Sequence, residues 1–186
     1  MSVNEIRNVG FIGQSGVGKT TLIERLLYES RSSTHLGSVK EGDTITDFDP
    51  QSIQYQHSIE ATPVTLTWLN HRMNFIDTPG LPELLGRTLS VLPAVEATAL
   101  VLDANTPLNQ VSERLFAFAQ EQQKCQMVII NKLDLNPHLL GELLAEVSAY
   151  FSRCCLPINL PSEDSKSVVD CYFEPDDDRA TLFDSV

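Results

Sequence analysis

The chain has 186 residues, of which 42% are hydrophobic, and a formal net charge of −12. That length suits about one domain able to bury its own core. No apolar run approaches the roughly 20 residues that span a bilayer, and the acidic balance argues against broad nucleic-acid contact, which needs clustered Lys and Arg. The opening MSVNEIRNVG lacks the charged-then-apolar pattern of a secretory signal. Cys125, Cys154, Cys155 and Cys171 have neither C-x-x-C spacing nor His partners, so a cytoplasmic protein with free thiols is expected, without zinc or disulfides.

In chain order, Asn8–Ile12 (NVGFI) predicts a short buried strand. Thr20–Tyr28 predicts a helix with Leu22, Ile23, Leu26 and Leu27 at helical spacing. Residues Glu29–His57 are polar and aperiodic, a length of loop that is normally functional or disordered. Ser58–Leu69 and Arg72–Asp77 read as two strands joined by a turn at Asn70–His71, an antiparallel hairpin. A helix is expected around Arg87–Val95, a strand at Ala97–Leu102, a helix at Gln110–Gln122 and a strand at Met127–Ile130. Pro137–Phe151 carries an apolar helical stripe, and Leu156–Leu160 suits one more strand. Strands alternating with helices predict an α/β fold with a doubly wound, mostly parallel sheet and one antiparallel hairpin strand. Residues 1–160 are expected to form this domain. Residues 161–186 form an acidic segment with eight acids against Lys166 and Arg179, and Glu174–Asp178 within it reads as a solvated loop.

Three motifs carry chemistry. Gly13–Thr20 (GQSGVGKT) fits G-x-x-x-x-G-K-[ST], between a strand and a helix start. The amides of Gly13, Gln14, Ser15, Gly16, Val17 and Gly18 can cradle phosphates, and Thr21 follows in the first helical turn. Lys19 can reach the β- and γ-phosphates while the Thr20 hydroxyl binds Mg²⁺, which makes Lys19, Thr20 and Gly80 the candidate catalytic set. Asp77 closes an apolar strand and is placed to hold Mg²⁺. Gly80, in Asp-Thr-Pro-Gly, can bring its amide to a γ-phosphate. Asn131-Lys132-Leu133-Asp134 supplies base selection: the Asp134 carboxylate only accepts, which suits guanine's N1–H and N2–H₂. Asn131 can tie this loop to the phosphate loop, and the Lys132 stem can cover the base. GTP and GDP, with Mg²⁺, are the expected ligands.

With these motifs in hand, the chain resembles the GTP-binding domain of translation-factor GTPases, and elongation factor G-like proteins in particular. The matches are Gly10–Leu22, Leu36–Pro50 (LGSVKEGDTITDFDP), Asn74–Gly80, Val101–Asn105 and Asn131–Asp134, and Pro157–Phe173 resembles the passage into the family's inserted subdomain. The resemblance implies a GTPase associated with the ribosome, with Ser58 standing where the family has its Mg²⁺-binding switch threonine; Thr44 and Thr46 lie in the same loop. It also implies that the chain is an N-terminal piece of a longer factor, because the family's later guanine-contacting loop is not found before Val186.

One departure bears on catalysis. Elongation factor G places a water-positioning His directly after D-T-P-G, and here that residue is Leu81, which can neither orient nor polarise water. His57 and His71 are not expected to replace it. The leading reading is GTP hydrolysis of low intrinsic rate. The alternatives are a GTP-gated binding module without efficient hydrolysis, or an inactive truncated fragment.

Overall fold

In the computed structural model, which describes residues 5–151, 155–162 and 167–171, strands and helices alternate as the apolar runs predict. The chain separates into two compact units: residues up to Asp103 with Asn109–Asn131, and Ala104–Leu108 with residues from Lys132 onward.

The first unit is built on a five-stranded sheet of order β2-β3-β1-β4-β5. Its strands are β1 (Ile6–Ile12), β2 (Thr62–Trp68), β3 (His71–Asp77), β4 (Ala97–Asp103) and β5 (Cys125–Asn131). β1 runs parallel to β3 and β4, and β4 runs parallel to β5; only β2 is antiparallel, paired with β3. This is the mixed α/β fold with a mostly parallel sheet that the sequence predicts. Strands of a parallel sheet are buried on both faces, so they lose the polar alternation of a half-exposed strand. β4 (ATALVLD) shows this directly, being buried from Thr98 to Leu102. The core gathers Phe11, Ile23, Leu27, Val64, Phe75 and Val101, with the Phe11 and Phe75 rings edge to face at 5.1 Å.

α1 (Lys19–Glu29), α3 (Leu85–Val91) and α4 (Gln110–Glu121) belong to the same unit. α4 is capped by Asn109, whose side-chain oxygen accepts from the amides of Val111 and Ser112 at 3.0 Å.

The structure departs from the expected elements at several points. The hairpin turn is Leu69–Asn70, both at positive φ (46° and 63°), and His71 already pairs with Trp68 inside the ladder. A two-residue turn with both φ positive matches the twist of the flanking strands, which fixes this register. The first hairpin strand starts at Thr62, leaving Ser58 in the preceding loop. That loop contains a short helix that aperiodicity did not predict, α2 (Pro50–Tyr55). Asp49 caps it by accepting from the Gln51 amide at 2.8 Å, with Pro50 in its first turn, and Gln56 ends it at φ 55°. The helix expected at 87–95 is α3, and Leu92–Ala94 tighten into a 3₁₀ turn.

In the second unit, a 3₁₀ turn at Pro137–Leu139 leads into α5 (Leu140–Tyr150), with Leu143, Val147 and Phe151 buried. The late strand is β6 (Asn159–Pro161), paired antiparallel with β7 (Val168–Asp170), a strand not expected in the acidic segment. The Glu174–Asp178 run and Cys154 lie outside the described residues.

Candidate nucleotide site

β1 ends at Ile12 and α1 begins at Lys19, so Gly13–Gly18 form the connection at the carboxyl end of a central strand. Gly13, Gly16 and Gly18 take φ of 141°, 81° and 98°, a backbone that side-chain-bearing residues rarely adopt. Lys19 curls back over this loop, its Nζ donating to the carbonyls of Gly13 at 2.8 Å and Gln14 at 2.9 Å. Two distant segments brace the loop. Asn109 Nδ2 donates to Gln14 Oε1, and Asn131 Nδ2 donates to the Val17 carbonyl at 2.9 Å. The tie between Asn131 and the phosphate loop is thus present. Thr21 is exposed on the first turn of α1.

Below Lys19, oxygen atoms from four segments converge. The Thr20 hydroxyl donates to Asp77 Oδ2 at 2.6 Å, and the Thr46 hydroxyl donates to the same atom at 2.9 Å. Ser58 Oγ lies 3.2 Å from Thr20 Oγ1 and donates to Asp47 Oδ2 at 3.2 Å. Asp77 is 1% exposed, and its second oxygen, Oδ1, has no hydrogen-bond partner among the described residues. Hydroxyls and carboxylates without nitrogen or sulfur suit a hard divalent cation. Mg²⁺ in particular takes one or two protein carboxylates and draws its remaining ligands from water and phosphate. The orphaned Asp77 oxygen fits such an ion.

Burial dominates the electrostatics. It brings the Lys19 ammonium from 10.5 to about 8, against the opposing pull of Asp77 and Asp47. It pushes the Asp77 carboxyl up, opposed by the Thr20 hydrogen bond, the Lys19 charge and the Thr46 hydrogen bond. Asp47 is likewise pushed up by burial, with the Ser58 hydrogen bond and the Lys19 charge opposing. A cation and an anion that are both held back by desolvation form a site whose charges are incompletely compensated by the protein alone.

The Asp77–Gly80 turn closes on the phosphate loop. The Ser15 amide donates to the Gly80 carbonyl at 2.9 Å. A Cβ at Gly80 would stand 2.5 Å from the Gln14 carbonyl carbon and 2.6 Å from Lys19 Nζ, so only glycine fits. Leu81, half-buried, begins the 3₁₀ turn at Pro82–Leu84.

Lys132 and Asp134 follow Asn131 into the second unit, where Asn105 Nδ2 donates to the Lys132 carbonyl at 3.0 Å. Lys132 sits at φ 60°, and Asp134 is exposed.

Two residues at this site, Asp47 and Glu24, are not singled out by the sequence, and a third, His57, is named there only as an unexpected replacement for the missing His. Asp47 is buried beside Ser58. Glu24 of α1 is fully buried and accepts from the Ile45 amide at 2.6 Å, fixing the loop just before Thr46. His57 places Nδ1 2.9 Å from Ser15 Oγ. Glu24 carried a readable signal, since it lies one helical turn after Thr20 and shares the buried face of α1 with Ile23 and Leu27. Asp47 and His57 sit in aperiodic sequence and carried none.

The model of the elongation factor Tu GTP-binding domain matches residues 4–179. The chain belongs to this family. Within it, an elongation factor G-like protein of Mycobacterium tuberculosis is 34% identical over 159 residues, covering 86% of this chain and 22% of that protein. A protein of the same description from Synechocystis is 32% identical over 156 residues, covering 84% of this chain and 23% of the relative. A mitochondrial ribosome-releasing factor 2 of Candida dubliniensis is 29% identical over 171 residues, covering 92% and 21%. A solved structure from Thermus thermophilus superposes with a TM-score of 0.84 at 30% identity, over 89% of this chain and 25% of that one. The chain therefore spans about a fifth to a quarter of the length of these relatives. As an elongation factor-type GTP-binding domain, it has no helix among the described residues long and apolar enough to cross a membrane.

Proposed function

We propose that this domain binds GTP and GDP with Mg²⁺ and hydrolyses GTP, serving a ribosome-associated factor of the elongation factor G-like type. The observation that carries the proposal is the oxygen cluster of Thr20, Asp77, Thr46 and Ser58 directly beneath the Lys19 loop. Lys19 and the loop amides of Gly13–Gly18 hold the β- and γ-phosphates, and in doing so Lys19 exchanges its carbonyl partners for phosphate oxygens. Thr20, Ser58 and Asp77 hold the metal, joined by the Thr46 hydroxyl. Bound there, Mg²⁺ would supply charge neutralisation to the nucleotide's phosphates. Gly80 gives up its contact with Ser15 when a γ-phosphate enters, and so reports the difference between GTP and GDP. Asn131, Lys132 and Asp134 select guanine in this reading. We read residues 161–186 as the start of a further subdomain, and the free thiols Cys125 and Cys171 suit a reducing, cytoplasmic setting. The relatives' descriptions support ribosome association, which would belong to the whole factor.

Leu81 favours a second reading, a GTP-gated binding module with little turnover, because a hydrocarbon side chain cannot hold the attacking water. Fluorescent GDP and GTP titrated with Mg²⁺, against ATP competition and an Asp134→Asn control, test the first proposal. Guanine-selective binding that is lost in the control is expected. Binding that ATP displaces as well as GTP would refute it. Single-turnover hydrolysis with and without ribosomes separates the two readings.

A further inference from the structure

The chain lacks a polar residue after Asp-Thr-Pro-Gly, yet an imidazole stands at the same mouth, delivered from a different segment. α2 ends at Gln56 in a left-handed conformation, and the His57 amide bonds back to the Ser52 carbonyl at 3.2 Å. This reversal turns the chain toward the phosphate loop. Ser58 then reaches Thr20, and His57 reaches Ser15. Ser15 is a shared anchor: its amide binds Gly80, and its hydroxyl binds His57 Nδ1. Gly80 in turn lies against Lys19 Nζ, the tip that meets a γ-phosphate. His57 thus borders the γ-phosphate end of the loop, one residue from the metal-side hydroxyl of Ser58. Its ring is exposed, and Nε2 takes no protein hydrogen bond among the described residues.

We propose that His57 is the residue that positions the attacking water, in place of the one missing at Leu81; this rests on the GTPase reading above. The Ser15 hydroxyl accepts from Nδ1–H, which leaves Nε2 as a hydrogen-bond acceptor toward solvent. Nε2 accepts one hydrogen bond from water and aims a lone pair of the water oxygen at the γ-phosphorus. The new P–O bond forms as the bond to the β,γ-bridging oxygen breaks, and its electron pair leaves on the β-phosphate of GDP. Both water protons depart on inorganic phosphate, so the imidazole ends as it began. Its task is orientation and involves no change of charge.

The test uses the full chain and the variants His57→Ala and His57→Gln, with His71→Ala as a control at an exposed hairpin position. Because the His57 side chain is exposed, the variants are expected to keep the wild-type circular dichroism and thermal midpoint. Affinity for fluorescent GDP and GTP is measured beside single-turnover phosphate release. His57→Ala is expected to slow release about 100-fold while both affinities stay within about twofold of wild type. His57→Gln, whose amide oxygen still accepts, is expected to recover about tenfold of that loss, and His71→Ala to match wild type. A wild-type rate in His57→Ala, an equal loss of rate and affinity, or a His57→Gln no faster than His57→Ala overturns the assignment. So does a wild-type chain that binds GTP and turns none over. A wild-type chain that binds no guanine nucleotide overturns the GTPase reading itself and takes this assignment with it.

Discussion

Replacing Gly80 by Ala tests whether the Asp77–Gly80 turn is seated on the phosphate loop. The added methyl would lie 2.5 Å from the Gln14 carbonyl carbon and 2.6 Å from Lys19 Nζ, and closer still to the Ser15 amide nitrogen. Ordinary contact between such atoms is about 3.5 Å, so the turn and the loop must part by about 1 Å. Two of the three crowding atoms are backbone, which cannot swing aside as a flexible side chain would. A separation of that size takes the 2.9 Å bond between Ser15 and Gly80 outside hydrogen-bond range. Losing that bond costs about 1 kcal/mol, and the overpacking adds about 1–3 kcal/mol. For a chain of this length the sum lowers the thermal midpoint by roughly 4–16 °C, readable by circular dichroism without nucleotide. Phosphate release should slow as well, since Gly80 can no longer approach a γ-phosphate. A Gly80→Ala midpoint within about 1 °C of wild type would show that the turn is not seated there, and the reasoning would fail.

Gly16→Ala should fail for a different reason: nothing lies within 4 Å of its Cβ position, but φ is +81°. A loss of about 1–2 kcal/mol from backbone strain alone is expected, and a neutral result would contradict the loop geometry. Asp77→Asn keeps an acceptor for the Thr20 and Thr46 hydroxyls and removes a carboxylate that burial disfavours. Stability without ligand should therefore stay within about 1 kcal/mol, while the thermal gain from GTP with Mg²⁺ disappears; an intact Mg²⁺ response would refute the metal assignment. Lys19, lowered to about 8 from 10.5, is charged in both folded and unfolded chains below pH 8, so its burial penalty is then complete. Between about pH 8 and 10.5 only the unfolded chain keeps that proton, and stability rises by about 3 kcal/mol from this residue. Denaturant titrations of wild type and Lys19→Met across pH 7 to about 10.5 should differ by that slope, and identical slopes would sink the argument. Nucleotide affinity of the wild type should fall over the same range as Lys19 loses its charge.

What the sequence determined by itself is the local and the periodic. The run NVGFI, the glycine spacing of GQSGVGKT and the apolar face of α1 lie within a few turns of one another, so strand, loop and helix follow from short-range preferences. The continuous apolar character of ATALVL marks a strand buried on both faces, which makes the sheet mostly parallel. The cap of α2 is equally local, with Asp49 directly before Pro50. The hairpin register was less accessible, because Leu69 and Asn70 take positive φ without the glycine that usually announces such a turn.

Only the tertiary structure decided which oxygens share one position. Thr46 and Asp77 are 31 residues apart, Thr20 and Ser58 are 38, and His57 reaches Ser15 across 42. No residue pattern encodes such a meeting in a single sequence. Thr44, Thr46 and Ser58 all offered a hydroxyl in the same aperiodic segment, and Asp47 and His57 were two polar side chains among many. Their selection comes from packing: Glu24 holds the loop at Ile45, the left-handed Gln56 reverses the chain, and burial leaves Asp77 with one oxygen satisfied and one free. The phosphate loop is a property of eight consecutive residues. The site around it is a property of where a long loop comes to rest, and that is set by hydrogen bonds and burial distributed over the whole sheet edge.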